Sequence, residues 1–442
     1  MISLLPVVSS DPMRPETVPP RFPRSSPYWA VLSHPMLRRI LPGLAVSALG
    51  DGMAVVAVSW LAWQLAPPER SGTWVAIAVA AYTLPSVVGT LVFGRRLARF
   101  SGARLAGWDA TLRAAALAAI PLAHAFGMLT LWLYVVLLAC SSLLHSWGSA
   151  GRYTLIAEAL PQRHHLAGNA VLSTVAEVAA IGGPPLAGLL ISWGGAVWVI
   201  AIDAGTFAVL ALTYHRAVPS VDRPVPAPVG VSRTAGFGVI RRQPNLLGLL
   251  TLSFGFFFLF GPVYVALPLY IAHDLNASAA LLGTYYLAFG AGALVGAMAT
   301  GYVRRWSLWT VTIGIVVGFG LTMLPLGLGA PPGLSLLSFA VGGAIWAPYV
   351  PTAMALFQRS TTAANRTQVL AANGAVTVVA VPAGTMLGGP LVSALGARKA
   401  LLFCAIAIIT FGVLATGYTV SRRRTPAVDD SMLTGRGGVI SR

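Results

Sequence analysis

Three acidic side chains stand inside long apolar runs: Asp51 in SALGDGMAVVAVSW, Glu177 in STVAEVAAIGG and Asp203 in IDAGTFAVLAL. A carboxylate at the centre of a bilayer costs about 2.5–3.5 kcal/mol on insertion scales. Each therefore needs a cationic partner, a water-filled cavity or a proton, and reversible proton binding is the chemistry such residues suit. Asp51 lies roughly 16 Å into its run at helical rise, and Glu177 at a similar depth. The two are expected to share a proton or hold one each. Gly50 and Gly52 beside Asp51 also fit a packing role, in which the carboxylate binds a neighbouring helix backbone. Asp203 lies nearer the outer end of its run and fits either a cavity role or a packing and capping role. His145 is read as a packing histidine or a cavity residue. Asp109 and Arg113 are four residues apart on one helix face. They are expected to pair at the inner membrane boundary as a structural or gating contact.

The elements that position these residues follow from composition. Of 442 residues, 56% are hydrophobic and 9% charged, against about 25% charged in soluble chains. Apolar runs of spanning length recur throughout, and the short alternating segments of a barrel do not. The chain is expected to be an all-α polytopic membrane protein with twelve spans. They are placed at roughly 40–65, 73–94, 105–124, 127–149, 167–193, 196–214, 245–272, 279–301, 309–328, 333–356, 367–394 and 399–419. Gly194 and Gly195 mark a tight turn between spans 5 and 6. Basic residues fall 26 on one face and three on the other, namely Arg70, Arg398 and Lys399. That bias puts both termini in the cytoplasm of a cell-membrane protein, and its scatter between apolar runs excludes nucleic-acid binding. Cys140 and Cys404 lie inside apolar runs and read as packing residues.

The expected organisation is a disordered cytoplasmic arm (1–38), a six-helix half (39–214), a Pro- and Arg-rich linker (215–244), a second half (245–420) and a tail (421–442). The halves repeat each other. VGTLVFGRR ends span 2 and VGAMATGYVRR ends span 8, while LAGN opens span 5 and LAAN opens span 11, each followed by GGP. The second half has no acid inside a span. Its candidate cavity wall is aromatic, with Phe257, Tyr285, Tyr286, Trp346 and Tyr349, and Asn373 and Gln368 are its polar alternatives. Such a wall suits a bulky apolar or aromatic substrate.

LGDGMAVVAVSWL, RYTLIAEALPQRHHLAGNAVLSTVAEVAAIGGPPLAGLL and IDAGTFAVLAL together resemble the major facilitator superfamily, and within it the drug:proton antiporter branch that includes the enterobactin exporter. The resemblance covers about residues 38 to 420 and implies two pseudo-symmetric six-helix halves, a central cavity and alternating access. The loop GRRLARFSGARLAGWDATLR is similar to the superfamily's signature inner loop. By that likeness Gly89, Gly94 and Gly102 permit close approach and the turn. Arg95, Arg96, Arg99 and Arg104 latch the inner gate against acids or helix C-termini of the other half. The usual motif acid is missing, its place taken by Ala98 or Arg99. The latch is therefore expected to be weakened, or rebuilt through Glu158 or Asp109. Topogenic charge alone is the alternative role for these arginines.

These features together predict a monomeric secondary transporter with no cofactor, no metal and no enzymatic activity. It exports a small apolar or amphipathic molecule, such as a drug, natural product or siderophore, against inward proton flow. No phosphate-binding G-x-x-x-x-G-K-[ST] stretch is present. The alternatives are a facilitator or importer on the same fold, and a transporter-like receptor or assembly partner.

Overall fold

The computed structural model describes residues 27–97, 100–161, 164–217, 235–303, 307–362 and 365–424, and these contain no strand. Among the described residues, eleven helices are long and apolar enough to cross a membrane. A twelfth, Gly102–Ala125, has spanning length at 24 residues, but Arg104, Asp109 and Arg113 dilute its apolar character.

We number the spans in chain order. The first half has α1 Pro35–Leu65, α2 Ser71–Thr83 continued by Pro85–Leu97, α3 Gly102–Ala125, α4 Leu131–Ser142 continued by His145–Ala159, α5 His165–Gly194 and α6 Ala196–Ala217. The second has α7 Pro244–Phe260 continued by Val263–Leu269 and Tyr270–Asp274, α8 Ala279–Val303, α9 Leu308–Leu328, α10 Pro332–Trp346 continued by Tyr349–Arg359, α11 Arg366–Leu395 and α12 Ala397–Arg424. The expected ends agree within a few residues, except that α4 runs on to Ala159, well past 149. Short helices Pro27–Leu32 and Ala235–Arg242 occupy parts of the stretches expected to be a disordered arm and a linker. The rest of the arm (1–26), the linker's 218–234 and the tail's 425–442 lie outside the described residues.

Four spans are interrupted. Pro85, Pro262 and Pro348 sit at three of the interruptions, where a missing N–H and a fixed φ release the preceding turn. The α4 interruption at Leu143–Leu144 has no proline. There Ser142 Oγ donates to the Ala81 carbonyl of α2 at 3.0 Å, and Ser141 Oγ donates to Leu138 O at 2.7 Å. Gly89 of α2 lies so close to the Leu143 carbonyl that a Cβ would fall on it. The break is thus held by packing on α2, a cause that local sequence does not carry.

Backbone contacts through glycine set the helix crossings, as small residues do between membrane helices. They also fix the register of the repeat. Gly52 of α1 lies on Ala179 and Gly183 of α5, as Gly261 of α7 lies on Val381 and Gly384 of α11. Gly89 lies on the Leu143 carbonyl, as Gly296 of α8 lies on that of Ala344 in α10. Gly195 and Gly396 turn the chain into α6 and α12 with φ of 84° and 80°. Ser101 and Ser307 precede α3 and α9.

The close approaches between the two halves lie towards the face opposite the termini. Gly188 of α5 abuts the Ala279 carbonyl of α8, and Gly283 of α8 abuts that of Pro184. Gly72 of α2 meets Val392 of α11, and Gly389 of α11 meets Thr73. The halves are therefore in contact at that face.

Candidate functional site

Five helices of the first half converge on one buried polar cluster. Asp51 stands midway along α1, and its Oδ1 accepts from Tyr82 Oη of α2 at 2.9 Å. The same oxygen accepts from Arg113 Nη1 of α3 in a direct ion pair. The Arg113 side chain is 2% exposed and that of Asp51 26%. The Arg113 guanidinium also lies 4.7 Å from the Phe207 ring of α6 and 5.3 Å from the Tyr82 ring, so its faces are covered by cation–π contacts. One turn earlier on α3, Asp109 stands 3.9 Å from Arg113 Nε and 3.6 Å from Arg152 Nη2 of α4. A Cβ on Gly148 of α4 would strike the Asp109 carboxylate, so that glycine is what admits it.

Asp203 of α6 completes the group. It is 1% exposed, and it packs on Gly50, where a Cβ would collide with its Oδ1. That oxygen accepts from Thr206 Oγ1 at 3.4 Å. Its Oδ2 is buried without a hydrogen-bond partner among the described residues, as are His145 Nδ1, Asp109 Oδ1 and Arg113 Nε. The two glycines beside Asp51 thus do different work. Gly50 seats a second carboxyl, and Gly52 admits α5.

This arrangement corrects two expectations. Arg113 is not confined to a pair with Asp109 at the membrane boundary; it reaches across to Asp51 in the interior, so it is not a topogenic charge. The carboxyl seated beside Asp51 is that of Asp203 rather than Glu177. Glu177 is exposed on α5, with no hydrogen bond or ion pair among the described residues. Cluster residues missed in the sequence are Tyr82 and Arg152. An aromatic hydroxyl and an arginine on neighbouring spans were their only signal.

Around the inner loop, Gly102 packs on the Gly151 carbonyl of α4. The Arg104 guanidinium lies 5.0 Å from the Phe100 ring and 4.9 Å from the Trp108 ring, and these two rings meet edge to face at 4.8 Å. Asp109, a candidate for rebuilding the latch to the other half, is engaged within its own half, and Glu158 is exposed. Arg99 and the side chains at Gly94, Arg95 and Arg96 lie outside the described residues.

The second half carries an aromatic cluster at the corresponding place. Trp346, at the α10 interruption, packs against Phe256 and Phe260 at 4.8 Å each, Phe319 at 5.1 Å and Phe257 at 5.4 Å. Phe257, Tyr286 and Trp346 are partly buried. Tyr349 and Asn373 are each 1% exposed, so they are enclosed between helices. Tyr349 Oη donates to Ser253 Oγ at 3.2 Å, and Asn373 Oδ1 has no partner among the described residues. The Gln368 side chain is outside those described.

A sequence model described as Major Facilitator Superfamily matches residues 40–385 and again 264–434. The chain belongs to that superfamily. It is a multi-pass membrane transporter of this fold, with relatives in the drug-efflux branch. It is 27% identical to the multidrug efflux pump Tap of Mycolicibacterium fortuitum, over 86% of this chain and 95% of that pump. It is 28% identical to the pump of the same name from Mycobacterium tuberculosis, over 85% and 91%. Among solved structures, a bacterial homologue of the human lysosomal transporter Spinster, inward-facing and unoccupied, superposes with a TM-score of 0.67 at 11% identity, covering 91% of this chain and all of that one. A bacterial homologue of the iron transporter ferroportin, also inward-facing, gives 0.67 at 15% identity, covering 88% and 99%. Both show likeness of fold.

Proposed function

We propose that this transporter exports small, bulky amphipathic organic molecules and takes up a proton in exchange, with the coupling proton held at Asp203. The observation that carries the reading is the uncompensated buried carboxyl. Three carboxyls (Asp51, Asp109, Asp203) face two guanidiniums (Arg113, Arg152), and Asp203 is the one with no guanidinium against it. An unpaired buried charge is strongly unfavourable, so one proton on Asp203 brings the cluster to neutrality. Asp51, paired with Arg113, is the neighbour through which that proton is sensed. Glu177 is a second, accessible acid on the path to it.

The substrate face is the aromatic side of the second half, where Phe257, Tyr286 and Trp346 are only partly buried. His145, its Nδ1 buried near the Asp51–Arg113 pair, is the candidate cavity residue of the first half. The naming of the Tap relatives as multidrug efflux pumps supports this substrate class. In the same reading both termini and the connection near 215–244 are cytoplasmic. The arginines at the junction of α2 and α3 (Arg95, Arg96, Arg99, Arg104) work the cytoplasmic gate with Gly89, Gly94 and Gly102.

The test is transport of a fluorescent amphipathic dye in proteoliposomes with an imposed pH gradient. Asp203→Asn is expected to abolish gradient-driven accumulation while leaving downhill dye exchange within about twofold of wild type, since it keeps the size and hydrogen bonding of the site. Undiminished gradient-driven accumulation in that variant overturns the assignment.

A further inference from the structure

The contact between the halves ends in a hydrogen bond of unusual chemistry. Trp63, near the end of α1, donates its Nε1–H to His273 Nε2, at the end of α7, across 2.6 Å. The two rings meet edge to face at 5.7 Å, and Trp60 supports Trp63 edge-on at 4.9 Å. The bond joins the first half to the second on the face opposite the termini. Below it Thr73 Oγ1 and Ser393 Oγ approach to 3.5 Å across the same seam.

An indole nitrogen only donates, so His273 Nε2 must present its lone pair. In this state the imidazole is neutral and carries its proton on Nδ1. An imidazolium has two N–H donors and no acceptor, and it cannot hold the indole. Charged groups of both signs stand on this face. Glu69, from the α1–α2 connection, and Asp274, beside His273 in the chain, line one cavity of about 370 Å³ with His273, Ser71 and Ser393. Arg70 next to Glu69, and Arg398 and Lys399 at the start of α12, are the cations of this face.

We propose that the Trp63–His273 hydrogen bond is a proton-sensitive latch between the halves, closed while His273 is neutral and released when the ring is protonated from the face opposite the termini. The sign is fixed by the donor count: the latch holds while the ring keeps an acceptor nitrogen and is lost when that nitrogen takes a proton. This does not depend on what the transporter carries, nor on Asp203.

The experiment measures the distance across that face by electron–electron spin resonance in lipid nanodiscs. Labels go on the exposed positions Gln64 and Ala394, with Cys140→Ser and Cys404→Ala. The wild-type sequence at the latch is expected to show mainly the short distance at pH 8. Its open-to-closed ratio is expected to rise about fivefold at pH 5, the population change of one net hydrogen bond. His273→Gln supplies a carboxamide oxygen that accepts from the indole but does not titrate, and it should stay closed at both pH values. Trp63→Phe should be more open at pH 8 and respond little to acid. An acid response in His273→Gln equal to wild type overturns the proposal. So does an unresponsive wild type, or a response lost in Glu69→Gln, Asp274→Asn with His273 intact. Monodisperse elution of each variant secures the comparison against misfolding. Because the readout is a distance, failure here leaves proton-coupled export standing, and loss of coupling in Asp203→Asn leaves the latch standing.

Discussion

Where α1, α2, α3, α4 and α6 converge, the positions facing one another are Asp51, Tyr82, Arg113, His145 and Asp203. In the register fixed by the repeated glycine crossings, their counterparts in the second half are Phe260, Phe289, Phe319, Trp346 and Cys404. Phe260 and Phe319 pack at 5.6 Å where Asp51 and Arg113 form an ion pair, and Phe289 and Phe319 at 6.4 Å where Tyr82 and Arg113 make a cation–π contact. One backbone plan therefore tolerates either filling. The polar version is held by a few directional contacts that fail singly. The aromatic version is held by area shared among many neighbours. The duplication has kept the crossings and let the contents of the crossings diverge.

Exchanging the contents is the strongest way to break this comparison. Phe319→Arg places a guanidinium among Phe256, Phe260, Phe289 and Trp346 with no acid to receive it. A loss of several kcal/mol is expected, read as failure to recover monodisperse protein from the membrane fraction. Next in size, Arg113→Met strands Asp51 and should cost about 3–5 kcal/mol. Adding Asp51→Asn should restore at least about 1 kcal/mol of that, a coupling visible in a double-mutant cycle of denaturant midpoints. If the two losses simply add, the pair is not the unit that holds the cluster. The finest comparison removes one phenol hydroxyl from each half. Tyr82→Phe takes a donor from a carboxylate and should cost about 1.5–3 kcal/mol, whereas Tyr349→Phe takes one from a neutral serine and should cost about 0.5–1.5 kcal/mol. Equal midpoint shifts would mean that the charge on Asp51 adds nothing to its hydrogen bond.

Span number, span ends and the repeat were legible because they depend on run length and order, which a sequence displays directly. The three acids were legible because charge is rare at depth. What failed was azimuth. Asp51 and Glu177 share a depth, yet α5 presents Ala179 and Gly183 to α1 and leaves Glu177 exposed. Spacing found the Asp109–Arg113 pair, since both lie on one helix. It had no access to the Arg113–Asp51 pair, which exists only because α1 and α3 are brought together. The interruption of α4 escaped for the same reason. Prolines within α1, α3 and α5 leave those helices continuous, while α4 breaks at two leucines held by α2.

The contact between the halves has a mechanical consequence. Along α5–α8 and α2–α11 the closest approaches between the two halves are made by glycine, against main chain and against the side chains of Ile181 and Val392. Surfaces of this kind roll, where toothed ones must first be pulled clear. Glycine has no side-chain rotamers to free, so parting such approaches releases no side-chain entropy at those points. A joint that smooth offers little resistance of its own, and contacts placed beside it, such as that of Trp63 with His273, set how firmly it is held.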